Sequence, residues 1–99
     1  MGAMSIYAVH YTYTDDSDTI AEKRPAHRAY LAELVEAGHL LASGPYVGVS
    51  EALLIFTADT ADAVEGFLAG DPFQKAGLVA THTVTEWNPI LGVLKDYTA

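Results

Sequence analysis

Residues 51–57, Glu-Ala-Leu-Leu-Ile-Phe-Thr, form the most nearly continuous apolar run in the chain. A strand of that kind has no polar face to give to water, so it must sit inside a sheet with both faces covered. The rest of the chain has to supply its flanking strands and something to lie across them. Ile6 to Tyr13 supplies one flank. Ile6, Ala8, His10 and Thr12 fall on one side and Tyr7, Val9, Tyr11 and Tyr13 on the other, with the aromatic and β-branched content of a strand. Leu40 to Ser43 is a short apolar run, expected to lie beside the first strand and to end in a turn at Gly44-Pro45. Leu78 to Trp87 alternates again and stops at Asn88-Pro89.

Helical signals fill the gaps. Thr14 to Asp18 reads as a polar connection, and Pro25 suits the first turn of a helix, where its missing N–H costs nothing. Ala26 to Ala37 is rich in Ala, Leu and Glu, and Gly38 stands where a C-cap belongs. Arg24, His27, Leu31, Leu34 and Val35 recur at spacings of three and four, a single stripe that Glu33 and Glu36 avoid. Asp59 or Thr60 can cap a second helix, Ala61 to Ala69, with Val64, Phe67 and Leu68 inward and Gly70 closing it. Asp71-Pro72 then caps and starts a short turn of helix through Lys75, ended by Gly77.

The order is β-α-β-β-α-β, the ferredoxin-like α+β pattern, in one domain spanning residues 4–99. Both helices then pack on one face of a four-stranded antiparallel sheet, leaving the other face open and apolar. With 51% hydrophobic residues in so short a chain, that face is expected to bury itself in a homodimer, with the strand-one tyrosines lining it and the tail from Ile90 to Ala99 reaching the partner. Met1-Gly2-Ala3 reads as an expression-vector remnant ahead of a native start at Met4.

Composition removes whole classes of function. Thirteen acidic against five basic residues give a formal charge of −8, the wrong sign for nucleic acid or an anionic membrane. The absence of cysteine excludes disulfides and thiolate chemistry. No apolar run approaches the ~20 residues of a membrane helix, and no signal peptide is evident, so the expected location is the cytoplasm. His10, His39 and His82 lack metal-ligand spacing, and neither a dinucleotide nor a phosphate loop is present; no metal or cofactor is expected.

Three stretches, in order, resemble the YCII-related (YciI-like) family: Arg24-Pro25-Ala26-His27 with Leu31, then Gly38 with Leu40-Leu41-Ala42-Ser43-Gly44-Pro45, then Asp71-Pro72-Phe73 with Ala76-Gly77-Leu78. The resemblance implies a dimeric α/β-barrel-like assembly, and it places the family's His and Asp on His27 and Asp71. It also implies acid–base work on small molecules. From the residues alone His27 is either a core histidine or a proton carrier, since imidazole titrates near pH ~6.5. Asp71 is a helix cap whose second oxygen can still orient a ring N–H. Ser43, Gly44 and Pro45 are either a simple turn or a cradle for a ligand oxygen. Arg24 either caps an acidic neighbour or pairs with a substrate anion. Phe73 is either ordinary core or a pocket wall.

The expected function is a cofactor-free acid–base enzyme of lyase, isomerase or elimination type. His27 and Asp71 would act as its dyad on a small cyclic or aromatic oxygenated compound. The rival is a non-catalytic small-ligand binding or sensing domain that uses the same cleft.

Overall fold

Placing Glu51–Ala58 at the interior of a sheet requires a strand on each side of it, and the computed structural model, which describes residues 4–97, has that arrangement. Strands β1 (Ser5–Tyr13), β2 (Leu40–Pro45), β3 (Glu51–Ala58) and β4 (Val79–Trp87) form one antiparallel sheet in the order β2-β3-β1-β4. Helix α1 (Ser17–Glu36) follows β1, while α2 (Ala61–Ala69) and the one-turn α3 (Pro72–Lys75) follow β3; a 3₁₀ turn, Val93–Tyr97, closes the described chain. The fold is ferredoxin-like α+β. The reading of residues 1–3 as a vector remnant and the last two residues of the tail lie outside the described residues. Among the described residues, no helix is long and apolar enough to cross a membrane.

Two expectations need correcting. Strand β2 lies beside β3 at the sheet edge, not beside β1, and it runs on through Gly44 and Pro45 instead of turning there. An edge strand can carry proline because one side of its backbone has no ladder to complete. Helix α1 starts at Ser17, well before Pro25, because Asp16 caps it: the Asp16 carboxylate accepts the Thr19 N–H at 3.2 Å. Pro25 therefore sits inside the helix. Residues 21–26 are all exposed, so the carbonyl that loses its partner there faces water. The buried stripe is Ile20, His27, Leu31 and Leu34, with Arg24 and Val35 exposed at its margin.

The main core lies between helices and sheet and joins Tyr7, Val9 and Tyr11 of β1 to Leu31 and Leu34 of α1, Leu54 and Phe56 of β3, and Val64 and Leu68 of α2. Tyr7 and Tyr11 thus belong to the covered face, not to a subunit interface, because they share the parity of Val9. A smaller cluster of Ile20, Phe73 and Leu78 sits where α1 meets α3. The opposite sheet face carries Ile6, Ala8, His10 and Thr12, paired with Thr57, Ile55, Leu53 and Glu51 on β3. That face is open only in part, since Ile6, Ile55 and Thr57 are already buried within the single chain.

Candidate functional site

Asp71 is the second residue of the two-residue link between α2 and α3, with Gly70 as the C-cap before it and Pro72 as the first helical residue after it. Its Oδ1 accepts the Phe73 N–H at 2.9 Å, the hydrogen bond of an N-cap. That same oxygen lies 2.7 Å from Nδ1 of His27, and Oδ2 accepts the Tyr11 hydroxyl at 2.9 Å. The carboxyl group is 1% exposed and His27 is 8% exposed, so this network is shielded from water. Ring packing fixes it further: Phe73 stacks on His27 with centroids 3.8 Å apart and planes 7° apart, and Tyr13 meets Phe73 edge-on.

A carboxylate that already accepts a backbone N–H and a phenol has the capacity for a third donor. We assign the His27 tautomer on that basis: Nδ1 carries the proton and donates to Asp71, which leaves the Nε2 lone pair to act as a base. Burial pushes the Tyr11 hydroxyl far above its ordinary range, and the adjacent Asp71 charge adds to the effect, so this phenol stays a donor. Burial likewise raises Tyr13, with Asp71 adding and Arg24 opposing.

His27 lines a cavity of about 320 Å³ together with Tyr13, Arg28, Leu31, Ser43, Gly44 and Pro45. The structure therefore brings His27, Asp71 and the Ser43–Pro45 segment together. The segment is extended strand there, not a turn. Arg24 stands apart, lining an adjacent hollow of about 410 Å³ with Asp15, Ser17 and Glu51; Tyr13 and Pro45 are walls common to both spaces. Phe73 is not a cavity wall. It is buried behind the imidazole and holds it from the core side.

Sequence reasoning missed Tyr11, Tyr13 and Arg28. The signal for Tyr11 was its parity with Val9, because a tyrosine on a buried face needs a partner for its hydroxyl. Arg28 was legible only as the neighbour of His27. His10 and His82 cannot share a metal: Tyr11 pairs across the strands with His82, and His10 with Thr83, so the two imidazoles are on opposite sheet faces. Each has its own carboxylate instead, His10 with Glu51 and His82 with Glu65, both at 2.8 Å.

The sequence profile of the YCII-related domain family matches residues 4–88. Among solved structures, the chain is similar to 5-chloro-2-hydroxyhydroquinone dehydrochlorinase from Burkholderia phenoliruptrix AC1100, determined in complex with 2,5-dihydroxybenzoquinone. The two are 28% identical with a TM-score of 0.74, over 83% of this chain and 92% of that one. No curated protein matches the chain.

Proposed function

The chain belongs to the YCII-related family, and from that premise we propose that it is a lyase-type acid–base catalyst acting on a single-ring oxygenated compound, with His27 as the proton carrier and Asp71 as its orienting partner. The observation that carries this reading is the 2.7 Å contact between His27 Nδ1 and Asp71, made by a residue that also lines the cavity. A fixed tautomer with a free Nε2 is what a general base requires, and the Asp71 charge stabilises the imidazolium that forms. A cavity of about 320 Å³ suits one ring, at the small end of the roughly 300–1,000 Å³ of ligand pockets.

The dehydrochlorinase likeness supports a substrate of hydroquinone type that carries its own leaving group. Elimination on such a ring balances with protons alone. A base takes a proton from one ring hydroxyl, and a proton is delivered to the chlorine-bearing carbon. Loss of the second hydroxyl proton then expels chloride with the C–Cl bonding pair, leaving a quinone. The ring's oxidation is offset by the departure of chloride, so no outside oxidant enters. His27, alternating between imidazole and imidazolium, can serve each proton step in turn. Ser43 lines the same cavity, and in this reading its hydroxyl holds a ring oxygen.

Chloride release from 5-chloro-2-hydroxyhydroquinone tests the reading. The His27→Asn variant keeps an N–H for Asp71 but has no base, and its turnover is expected to fall by about 10²–10⁴. Undiminished turnover in that variant would remove His27 from the chemistry. A wild-type protein that binds the ring and returns it unchanged would make the cavity a ligand-sensing site.

A further inference from the structure

A single turn of helix does not hold itself, because fixing its backbone costs more than its one or two hydrogen bonds return. Helix α3 is four residues long, and its N-cap is the Asp71 that meets His27. Whatever fixes α3 therefore fixes the His27–Asp71 contact. Phe73 anchors the turn on one side, buried with Ile20 of α1 and Leu78. Two side-chain contacts tie it to the sheet, one at each end. At its start Asp71 accepts from Tyr11 on β1; at its end Gln74 Nε2 lies 3.3 Å from Nδ1 of His82 on β4. Tyr11 and His82 are direct partners across the two strands, and their rings meet edge-on with centroids 6.4 Å apart. Adjacent residues of one sheet face thus clamp both ends of α3.

His82 is itself braced. Its Nε2 lies 2.8 Å from Oε1 of Glu65, which reaches across from α2. We assign the neutral tautomer from these two contacts: Nε2–H donates to the carboxylate, and the Nδ1 lone pair accepts from the Gln74 amide. A hydrogen bond from Gln74 also opposes the rise in the Tyr11 phenol that burial and Asp71 cause. A second proton on His82 breaks this pattern, because Nδ1–H cannot accept from an amide N–H. The amide then has to let go or turn its oxygen inward. A turned amide sets that oxygen against a phenol whose proton is committed to Asp71. The groups that face His82 are Glu65 from α2, Gln74 from α3 and Tyr11 from β1. The next charged side chains along its own and the helical elements, Asp62 on α2, Lys75 on α3 and Glu86 on β4, are exposed.

We propose that His82 is a positioning residue for the His27–Asp71 pair: braced by Glu65, it holds Gln74 and with it the turn of helix that carries Asp71. Its weight in turnover rests on the acid–base reading of the site. Its hold on His27 does not, and can be read without substrate.

Imidazole proton and nitrogen resonances of the substrate-free protein follow His27 and His82 separately, each assigned by the signal lost in its own variant. His82→Leu and Gln74→Leu are each expected to shift the His27 Nδ1–H resonance, and the double variant to shift it no further than either one. A variant that is merely less stable loses signal to the unfolded state without moving the folded resonance. His82→Gln offers Gln74 an amide oxygen and Glu65 an N–H, so it restores the wild-type position. In wild type the His27 signal also takes a step at the pH where the His82 ring titrates. That step is absent in His82→Gln, which keeps both contacts and decides the matter even if the leucine variants unfold. For chloride release from 5-chloro-2-hydroxyhydroquinone, His82→Leu should lower kcat by about 10-fold with KM little changed. The inference is overturned by a His27 resonance that is the same in all these variants, by additive shifts in the double variant, or by a pH step that persists in His82→Gln. Resonances that behave as expected in a wild-type protein that releases no chloride would leave the clamp standing and remove the acid–base reading.

Discussion

Tyr11 connects the first strand to Asp71, and it shows how much one hydroxyl can matter at a buried carboxylate. It is 0% exposed and donates to Asp71, the same group that caps α3 and holds His27. Removing it leaves a buried carboxylate short of one donor, a loss of about 1.5–3 kcal/mol for a hydrogen bond to a charged group. Tyr11→Phe is therefore expected to lower unfolding stability near neutral pH by that amount in urea titrations. The pH dependence has a definite sign. Burial and Asp71 raise the folded-state pKa of Tyr11, whereas an unfolded tyrosine ionises near ~10. The contribution is fully present below pH ~10 and is lost as pH rises through the folded value. The stability gap between wild type and Tyr11→Phe should thus be constant up to pH ~10 and narrow above it. Tyr13 and Tyr30, also shifted upward, are common to both proteins and cancel in the difference. A gap independent of pH through this range would mean that the phenol has no special tie to Asp71. The two residues of the buried His27–Asp71 contact were legible because each carried a local sign: His27 sat on an apolar stripe and Asp71 stood before a proline. Tyr11 was not, because alternation divides a strand into two faces without saying which one the helices cover.

The junction of α2 and α3 fixes the geometry of the His27–Asp71 contact, and it depends on a close approach by α1. A Cβ at Gly70 would collide with the Tyr30 hydroxyl and lie 2.9 Å from its Cζ. That hydroxyl cannot retreat freely, since it donates to the Phe67 carbonyl at 2.7 Å. Glycine at this C-cap therefore allows α1 to lie near enough for His27 to reach Asp71, one residue further on. Gly70→Ala is expected to destabilise the fold by about 1–3 kcal/mol through overpacking. It should also widen the His27–Asp71 contact, read as a change in the imidazole proton resonances; a variant of wild-type stability would show that Tyr30 yields without cost. Most elements were visible in the sequence, because β3, α2 and the Asp71-Pro72 cap each combine a hydrophobic period with a terminating residue. Two of the elements differ from the sequence pattern at a proline. At Pro25 the Asp16 cap outweighed it, and at Pro45 the edge position made it harmless. Neither decision can be made from the local sequence, since one depends on a cap nine residues earlier and the other on the order of strands.

Charge governs what the whole molecule can associate with. Two copies at −8 each repel, so a face on which they meet has to be poor in charge and able to bury apolar area. The sheet face opposite the helices meets both conditions in part: along it run Ala8, Leu53, Thr83 and Thr85, with Trp87 still 43% exposed, and its ionisable side chains among the described residues are His10 and Glu51, which lie 2.8 Å apart. Beyond β4, Ile90, Leu91 and Val93 are exposed as well. We propose that a second copy of the chain covers this face, as the family resemblance implies. Sedimentation equilibrium at micromolar concentration should then report a dimer. Because the two net charges oppose association, added salt should tighten it, the reverse of what an interface built on ion pairs would do. Leu53 is half-buried in the single chain and contributes nothing to the helix-side core, so Leu53→Lys should leave the circular dichroism spectrum unchanged while shifting the protein to monomer. A wild-type monomer, or a dimer indifferent to a lysine at that position, would move the interface elsewhere. The dyad would be unaffected in either case, since His27, Asp71 and Tyr11 are all on the helix side of the sheet and belong to one chain.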